Sequence, residues 1–485
     1  MRPLLAVIHA LGSLLMLFAL YFLLPIATAL IYQEHDVRAF AAGGLITAAV
    51  GLALRAVSSR HRVALKPRDG YLLVSLSWVA LAAAATTPLL LLMPQLSFTR
   101  AFFETMSGLS TNGATVLTGL DTLPHSINLW RVALSWLGGM GLIVMGVAIL
   151  PLLGIGGMQQ YLADAPGPAK DAGLGARIVK TARLLGTVYV VLTAACIGAL
   201  AAAGMNLFDA ICHSFSVLSL GGMSTHDSNI GYFHSPLIEF VLMAFMLVAA
   251  INFATHFLAL KKGEVGTYGR DSEAKWMLLL IGASIILVSV HVYIRGVYPD
   301  YLTTLRYVSF NLISMATDCG FVTTNYALWP IFAPMWMLFL SCLCASTGST
   351  GGGIKMYRTL VLIKQSLREM FALVHPQAVT PLRIGGHVLP NRIVFSVLAF
   401  IFLYFITIVA LTFVMLISGL DFVTAFSAVV ACINSAGPGL GAVGPASTYG
   451  TLNEFQIWVC SAAMFLGRVE IFAVAVLFTP AFWRK

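Results

Sequence analysis

The sequence predicts an all-α polytopic membrane protein, with four repeated units around a central path and two additional N-terminal transmembrane helices. Three features favour this fold: the composition, the order of long and short apolar segments, and four similar glycine-containing tips. Of the 485 residues, 59% are hydrophobic and 10% are charged, and the mean hydropathy is +0.90. Soluble proteins carry about 25% charged residues. This chain therefore requires lipid around it, and membrane lipid is the first partner that the sequence implies.

Ten apolar segments are long enough to cross a membrane, which takes about 20 helical residues. The first is much longer than the apolar region of a signal peptide, about 7–15 residues, so we expect it to remain as a span. The predicted spans are 4–32, 38–56, 71–94, 128–153, 184–204, 236–260, 275–296, 331–345 with a continuation after 353, 393–417 and 454–478. Four shorter apolar stretches end in polar tips, as re-entrant half-helices do; they are 98–111, 207–220, 302–317 and 421–434.

The basic residues predict the orientation of these spans. With both termini in the cytoplasm, 22 of the 28 Lys and Arg residues fall in inner segments, in agreement with the positive-inside rule. The four re-entrant stretches then lie on the outer side. This bias explains the net charge of +9, so we expect no nucleic-acid partner. Acidic residues are more frequent outside, which indicates either ordinary loop solvation or a vestibule that concentrates cations.

The four re-entrant tips are copies of one pattern. Aligned without gaps, "AFFETMSGLSTNG", "AICHSFSVLSLGG", "VSFNLISMATDCG" and "AFSAVVACINSAG" end at Gly113, Gly222, Gly320 and Gly437. Each unit reads span, half-helix, tip, span, and two crossings per unit give all four the same orientation, as around an axis along the membrane normal. The predicted divisions are an N-terminal pair of helices with a basic loop and then four repeats, at 1–70, 71–160, 161–265, 266–385 and 386–485.

Four tips around one axis predict an ion filter. Glycine takes φ > 0 without steric cost, so the tip backbone is free to turn its carbonyl groups inward. Rings of carbonyl oxygens replace the hydration shell of a monovalent cation, and the C-termini of half-helices add negative dipole ends. The predicted filter consists of Thr111, Asn112, Gly113, Leu220, Gly221, Gly222, Asp318, Cys319, Gly320, Ser435, Ala436 and Gly437.

The tips "STNGATV", "LGGMSTHD", "DCGFVTTN" and "NSAGPGLG" resemble the four filter loops of the Trk/Ktr/HKT superfamily of potassium transporters. The resemblance covers essentially the whole chain, and the two extra N-terminal spans with "GRVE" near the end resemble the bacterial TrkH/TrkG branch. The chain departs from the usual family pattern at Asn112, Met223 and Ser435-Ala436. In this superfamily, Ser at the first filter glycine is associated with sodium preference. The glycine at 113 therefore implies potassium.

The resemblance also implies a place and partners for the chain. It implies potassium uptake across the bacterial cytoplasmic (inner) membrane, with the potassium ion as cargo and no organic cofactor on this chain. It further implies a homodimer and a separate cytosolic nucleotide-binding regulatory subunit of the TrkA type. The basic segment 356–371 is either a positively charged flank of a span or, by resemblance, a contact for that regulator.

A glycine-rich segment, "ASTGSTGGGIKM" at 345–356, interrupts the eighth span. It lacks the G-x-x-x-x-G-K-[ST] order of a phosphate-binding loop, which disfavours a nucleotide site. Unwound backbone at membrane depth must face protein or a water-filled cavity. The resemblance implies a mobile loop that obstructs the path, and a simple helix kink is the alternative. The predicted gate consists of Ser346, Thr347, Gly348, Ser349, Thr350, Gly351, Gly352 and Gly353.

Arg468 lies deep in the last predicted span, where an exposed charge would be costly. We predict a fixed pore charge, with a structural bridge to another helix as the alternative. Glu470 lies about 200° further around a helix, so these two side chains are not expected to pair. His226 follows the second tip, either as a solvated or capping residue or as a pH-sensitive group.

Two other functions compete with potassium uptake. Sodium or mixed monovalent cation transport would use the same architecture. A membrane enzyme is a remote alternative, because the spans offer no paired carboxylates and no nucleophile with a base. The seven cysteines show no C-x-x-C spacing, and they are expected to be small buried apolar residues. The histidines form no metal-binding motif.

Overall fold

The computed structural model describes residues 2–59, 67–148, 174–264, 266–378 and 380–484. Most of them are helical, and the strands among the described residues are one two-residue antiparallel pair, Arg383–Ile384 and His387–Val388. The longer helices are Arg2–Tyr21, Leu23–Ile31, Val37–Ser58, Pro67–Leu92, Phe98–Leu109, His125–Ala148, Leu174–Ala202, Leu207–Ser219, Pro236–Ala250, Phe253–Lys262, Ser272–Ile294, Tyr301–Ala316, Phe332–Ser341, Met356–Val374, Asn391–Ile417, Phe422–Asn434, Glu454–Val469 and Ile471–Leu477. Two short helices, Gly266–Arg270 and Pro480–Trp483, complete the set.

Seven helices in the described parts of the chain are long and apolar enough to cross a membrane, and up to nine spans result if two bent helix pairs are counted. The predicted end of the fourth span, 149–153, and the predicted unit boundary at 160/161 lie outside the described residues. Large apolar side chains cover the outer surfaces of the spans; in Asn391–Ile417, Phe402 is 70% exposed. A surface of this kind is stable against lipid and not against water.

Two spans predicted as continuous helices are broken, which corrects the sequence-based expectation. The segment 236–260 bends by 98° between Ala250 and Phe253, and the segment 454–478 bends by 104° at Glu470. At the first break, the Asn252 side chain accepts the N–H of Ala254 and starts a new helix. At the second break, Glu470 has φ 69°, which a right-handed helix does not accommodate.

The eighth predicted span is interrupted, as expected, but the helical part is shorter. The helix Phe332–Ser341 ends four residues before the predicted limit at 345, and the chain becomes helical again at Met356. In between, the main chain bonds to itself in a tight loop, with the N–H of Met356 donating to the carbonyl of Ala345 at 2.8 Å. Ser346, Ser349 and Thr350 are at most 1% exposed, so the glycine-rich segment lies within the helical bundle.

The four short helices that precede the tips occur at the predicted places: Phe98–Leu109, Leu207–Ser219, Tyr301–Ala316 and Phe422–Asn434. We call them half-helices 1 to 4. Each begins with a side-chain cap, an arrangement that satisfies a free N–H of the first turn. The capping residues are Ser97, Asn206, Asp300 and Asp421. One or two 3₁₀ turns follow each tip: Leu120–Thr122, Asn229–Phe233, Tyr326–Leu328, Gly441–Val443 and Tyr449–Thr451.

Glycines let the spans approach the C-terminal ends of two half-helices. A Cβ at Gly138 would overlap the carbonyl of Leu109, and one at Gly467 would overlap the carbonyl of Ile433. In the first and fourth units, these contacts place the span after the tip directly beside the half-helix of the same unit. The ends of these two half-helices are buried, since Leu109 and Ile433 are each 1% exposed.

Candidate ion filter and gate

All four half-helices end in the same backbone pattern. The residue two positions before each aligned glycine is left-handed, which is uncommon for a residue with a side chain. These residues are Thr111, Leu220, Asp318 and Ser435, with φ of 53°, 53°, 63° and 61°. The aligned glycines Gly113, Gly222, Gly320 and Gly437 follow with φ of 86°, 57°, 82° and 80°. The alignment made from sequence thus matches a repeated backbone conformation.

The four tips lie side by side in a closed cycle. Where a Cβ would stand at each glycine, a carbonyl group of the next tip is already present; at Gly320 such an atom would be 2.7 Å from the Ala436 oxygen. Four glycines without side chains therefore let four stretches of backbone meet. The facing pairs are Gly113 with Gly221, Gly222 with Cys319, Gly320 with Ala436, and Gly437 with Asn112.

A polar side chain of each half-helix holds the segment that leaves its own tip. It lies nine or ten positions before the aligned glycine, and its partner lies two or three positions after that glycine. The pairs are Glu104 with Val116 at 3.0 Å, His213 with Ser224 at 2.9 Å, Asn311 with Thr323 at 3.2 Å and Ser427 with Leu440 at 2.8 Å. These side chains were not predicted as site residues, although each is a polar residue inside an apolar helix.

Asn112, one of the departures from the usual family pattern, joins two tips. Its amide nitrogen donates to the carbonyl of Ala431 at 3.0 Å and to that of Cys432 at 3.3 Å, both near the end of half-helix 4. Its amide oxygen accepts the N–H of Ala114 at 3.2 Å. The first and fourth tips are thereby fixed to each other by one buried side chain.

The segment 346–353, the predicted gate, lies against the C-terminal ends of three half-helices. The Thr350 hydroxyl donates to the carbonyl of Leu218 at 3.0 Å, and the N–H of Gly352 donates to Asp318 at 3.1 Å. The backbone of Gly352 also lies against the carbonyl of Asn434, since a Cβ there would overlap that oxygen. The segment is therefore packed directly against the tips.

Further contacts tie this segment to the bend at 250–253. The N–H of Ser346 donates to the carbonyl of Ala250 at 3.0 Å, and the N–H of Phe253 donates to the carbonyl of Gly348 at 3.1 Å. The bent span of the second unit and the glycine-rich segment of the third unit thus satisfy each other's free backbone groups. This exchange explains why neither segment continues as a helix.

Arg468 bonds to main-chain carbonyl groups on two sides. It donates to Thr350 and to Gly138, both at 3.0 Å, and is 3% exposed. With Gly351, Gly352 and Gly353 it lines a cavity of about 20 Å³. As expected, it does not pair with Glu470, whose carboxylate lies 2.6 Å from Arg358. These bonds make Arg468 a bridge between the glycine-rich segment and the helix His125–Ala148, while its role as a pore charge stays a prediction.

A second charged cluster is centred on His226, in the segment that leaves the second tip. Its Nδ1 lies 2.5 Å from Asp121 and its Nε2 lies 3.1 Å from Asp209, while the ring stacks on Tyr232 at 3.6 Å. Burial disfavours the charged imidazole, but the two carboxylates outweigh it and raise the pKa of His226 above its ordinary value. Burial also works against the charged form of Asp121, yet bonds from His226 and the N–H of Asp227 lower the pKa of Asp121.

Within the described ranges, no group of three or more His, Cys, Asp and Glu residues is arranged to hold a metal ion. All seven cysteines are buried and free of disulfide bonds, in agreement with their interpretation as small apolar residues.

The comparisons with known proteins point to one family. A family model described as "TrkH: Cation transport protein" matches residues 36–485. The chain is 42% identical over 481 residues to the Trk system potassium uptake protein TrkH of Salmonella typhimurium, covering 99% of both chains. It is 38% identical over 482 residues to the potassium uptake protein TrkG of Escherichia coli, covering 99% of this chain and 98% of that one.

A solved structure has the same architecture. The crystal structure of the potassium transporter TrkH from Vibrio parahaemolyticus aligns with a TM-score of 0.91 at 39% identity, covering 99% of this chain and 100% of that chain. This match confirms the all-α polytopic membrane fold that the sequence predicts.

Proposed function

Since the chain belongs to the TrkH family of cation transport proteins, we propose that it carries potassium into the cell through a gated, channel-like pore with a four-glycine filter. The family and the named relatives are transporters, which removes the enzyme alternative. Relatives at 41–43% identity over nearly the full chain are named as potassium uptake proteins. Potassium is accordingly the cargo that we assign.

The observation that carries this proposal is the closed cycle of four tips. Carbonyl groups from neighbouring tips meet where the glycines leave room, and such oxygens are what a partly dehydrated monovalent cation requires. The left-handed residues at 111, 220, 318 and 435 turn the chain at the end of each half-helix. Together with Asn112, Gly221, Cys319, Ala436 and the aligned glycines, they form the filter that we propose.

We assign the segment 346–353 as the gate and Arg468 as the charge beside it. The segment fills the space under the tips, and a cavity of about 20 Å³ has room for roughly one water molecule. Conduction then requires the segment to break its hydrogen bonds to Asp318, Leu218 and Arg468 and to move out of the path. The fixed positive charge of Arg468 offsets the attraction of the carbonyl groups, so that an ion binds without becoming trapped.

The surroundings of the pore follow from charge bias and family resemblance. We place both termini in the cytoplasm of a bacterium and the tips on the outer side of its inner membrane, because the basic residues concentrate in the inner segments. We further propose a homodimer and a cytosolic nucleotide-binding regulator of the TrkA type. The basic helix Met356–Val374 follows the gate directly and is our proposed contact for that regulator.

Two measurements test the function. The gene should restore growth of a potassium-uptake-deficient bacterium on low-potassium medium, and the purified chain in liposomes should carry potassium faster than sodium. A chain that carries sodium equally well or better would favour sodium or mixed cation transport. Failure to carry either ion, with folded protein and its regulator present, would refute the proposed function.

A further inference from the structure

A buried ion pair lies beside the proposed filter, between the first two units. Glu104 on half-helix 1 and Arg131 on the following span are 1% and 2% exposed, and Arg131 Nε lies 2.7 Å from Glu104 Oε1. Charges inside a protein are stable only when they are paired and hydrogen-bonded. Here the further partners of both side chains come mostly from the segments that leave the first and second tips.

The Glu104 carboxylate holds the segment that leaves the first tip. It accepts the hydroxyl of Thr115 at 2.9 Å and the N–H of Val116 at 3.0 Å. Both residues closely follow Gly113. The position of the first tip is thus set from its outgoing side by a charged acceptor, and hydrogen bonds to charged groups are the stronger ones.

The Arg131 guanidinium reaches the first and second tips together. It donates to the Thr115 hydroxyl at 3.3 Å and to the main-chain carbonyl of Ser224 at 3.2 Å, while Asn128 accepts another N–H at 3.3 Å. Thr115 and Ser224 occupy equivalent places, each two residues after the aligned glycine of its tip. One planar, rigid donor group therefore spans equivalent positions of neighbouring units.

This charged arrangement distinguishes the first unit from the other three. In the second, third and fourth units, the half-helix holds the segment that leaves its tip with His213, Asn311 and Ser427, respectively. None of these three side chains forms an ion pair with a described residue. The seam between the second and third tips is held by the neutral Asn229, which bonds the carbonyl of Gly222 and the N–H of Val322, both at 3.3 Å.

We propose that Arg131 is a positioning residue for ion discrimination, which with Glu104 holds the first and second tips at a fixed separation. This inference rests on the proposed function. Discrimination between potassium and sodium depends on where carbonyl oxygens stand and how far they can move. A guanidinium that binds both tips limits that movement on one side of the ring.

The test is the double substitution Glu104→Gln/Arg131→Gln, which removes both charges together and leaves no unpaired one. We expect folded protein that still carries potassium, with the potassium-to-sodium flux ratio reduced about tenfold, as for the loss of one strong positioned contact. The matched control is Glu239→Gln/Arg306→Gln, because that pair, at 2.6 Å, joins two helices without a bond to any tip. The control should keep the wild-type flux ratio.

Three outcomes bear on the inference. A folded double variant with the wild-type ratio overturns it, and so does an equal loss of ratio in the control pair. If the double variant does not fold, Thr115→Val, which removes one shared partner of both charges, must lower the ratio; an unchanged ratio there refutes the positioning role. A wild-type chain that carries no potassium would instead overturn the proposed function itself.

Discussion

The carboxylate of Asp318 accepts the main-chain N–H of Gly352 at 3.1 Å, which joins the third tip directly to the proposed gate. Asp318 is also the left-handed residue that ends half-helix 3, with φ 63°. Its other carboxyl oxygen is buried without a hydrogen-bond partner among the described residues, so the contact is one hydrogen bond and not a paired charge. Glycine takes positive φ without steric cost. The substitution Asp318→Gly therefore removes the contact while it preserves the backbone.

We expect Asp318→Gly to raise potassium flux in the resting state about fivefold. Removal of the acceptor costs one hydrogen bond, about 0.5–1.5 kcal/mol, so closure loses about 1 kcal/mol, and 1.4 kcal/mol corresponds to about tenfold. The measurement is ion flux into liposomes without a regulator. Asp300→Gly, at the start of the same half-helix, where the side chain caps Thr303 at 2.7 Å, is the control. Equal flux in both variants would contradict the prediction.

Gly113→Ser should weaken the preference for potassium and also destabilise the protein. The glycine has φ 86°, and left-handed backbone costs a residue with a side chain about 1–2 kcal/mol. The new Cβ would also press on the carbonyl of Gly221. Relative potassium and sodium fluxes and the thermal midpoint Tm should be measured on one sample.

Gly119→Ser separates strain from filter geometry. Gly119 also has positive φ, at 73°. A Cβ added at Gly119 would have the Thr122 hydroxyl as its nearest neighbour, at 3.4 Å, which is an ordinary contact distance. We expect a similar loss of stability with an unchanged flux ratio. A wild-type ratio in folded Gly113→Ser protein would argue against the first tip as a selectivity element.

The alignment of the four tips could be made from sequence because close backbone contact demands glycine at equivalent positions. The contact requires glycine at four aligned positions, and a left-handed residue lies two positions before each; the glycines are Gly113, Gly222, Gly320 and Gly437. The ends of the half-helices could also be predicted from the sequence, because apolar runs of 12–16 residues stop at polar tips.

The bends and the cross-unit partners could not be predicted in the same way. Hydrophobicity continues around both breaks, which are marked only by Asn252 at the first and by Arg468 and Glu470 at the second. The partners of Arg131 and Glu470 are Ser224 and Arg358, 93 and 112 positions away in the chain. Such pairs depend on how the units pack, and periodicity within one helix carries no information about that.

Arg468→Ala should increase ion flux and lower stability together. The substitution leaves the carbonyl groups of Thr350 and Gly138 without their donor, and a buried unsatisfied group costs about 1–3 kcal/mol. It also removes the positive charge that opposes a cation under the tips. Flux at several potassium concentrations, together with Tm, should be measured on the same purified protein.

Arg468→Lys distinguishes the two roles of this residue. Lysine keeps the charge, but a single ammonium group lacks the planar fork that reaches two carbonyl groups. We expect a smaller increase in flux than for Arg468→Ala and a comparable loss of Tm. Folded Arg468→Ala protein with wild-type flux at every potassium concentration would refute the pore-charge role.

The bridge of His226 to Asp121 and Asp209 should make the protein more stable at mildly acidic pH than at alkaline pH. The pKa of His226 is raised in the folded protein, so its contribution is complete below the ordinary value of about 6.5 and is lost as the pH rises through the folded value. The pKa of Asp121 is lowered, so its contribution disappears only when the pH falls below about 3.9 and through its folded value.

The measurement is the Tm of the wild type minus that of His226→Gln between pH 5 and pH 9, values that bracket the titration of histidine at about 6.5. We expect the difference to be largest at pH 5–6.5 and to shrink steadily above that range, because the neutral imidazole loses its attraction to two carboxylates. Asp121→Asn removes one of these carboxylates and should shift the loss to lower pH, while His213, whose ring centre lies 6.5 Å away, stays in place. A difference that is constant with pH, or that grows towards pH 9, would show that His226 contributes through packing on Tyr232 alone.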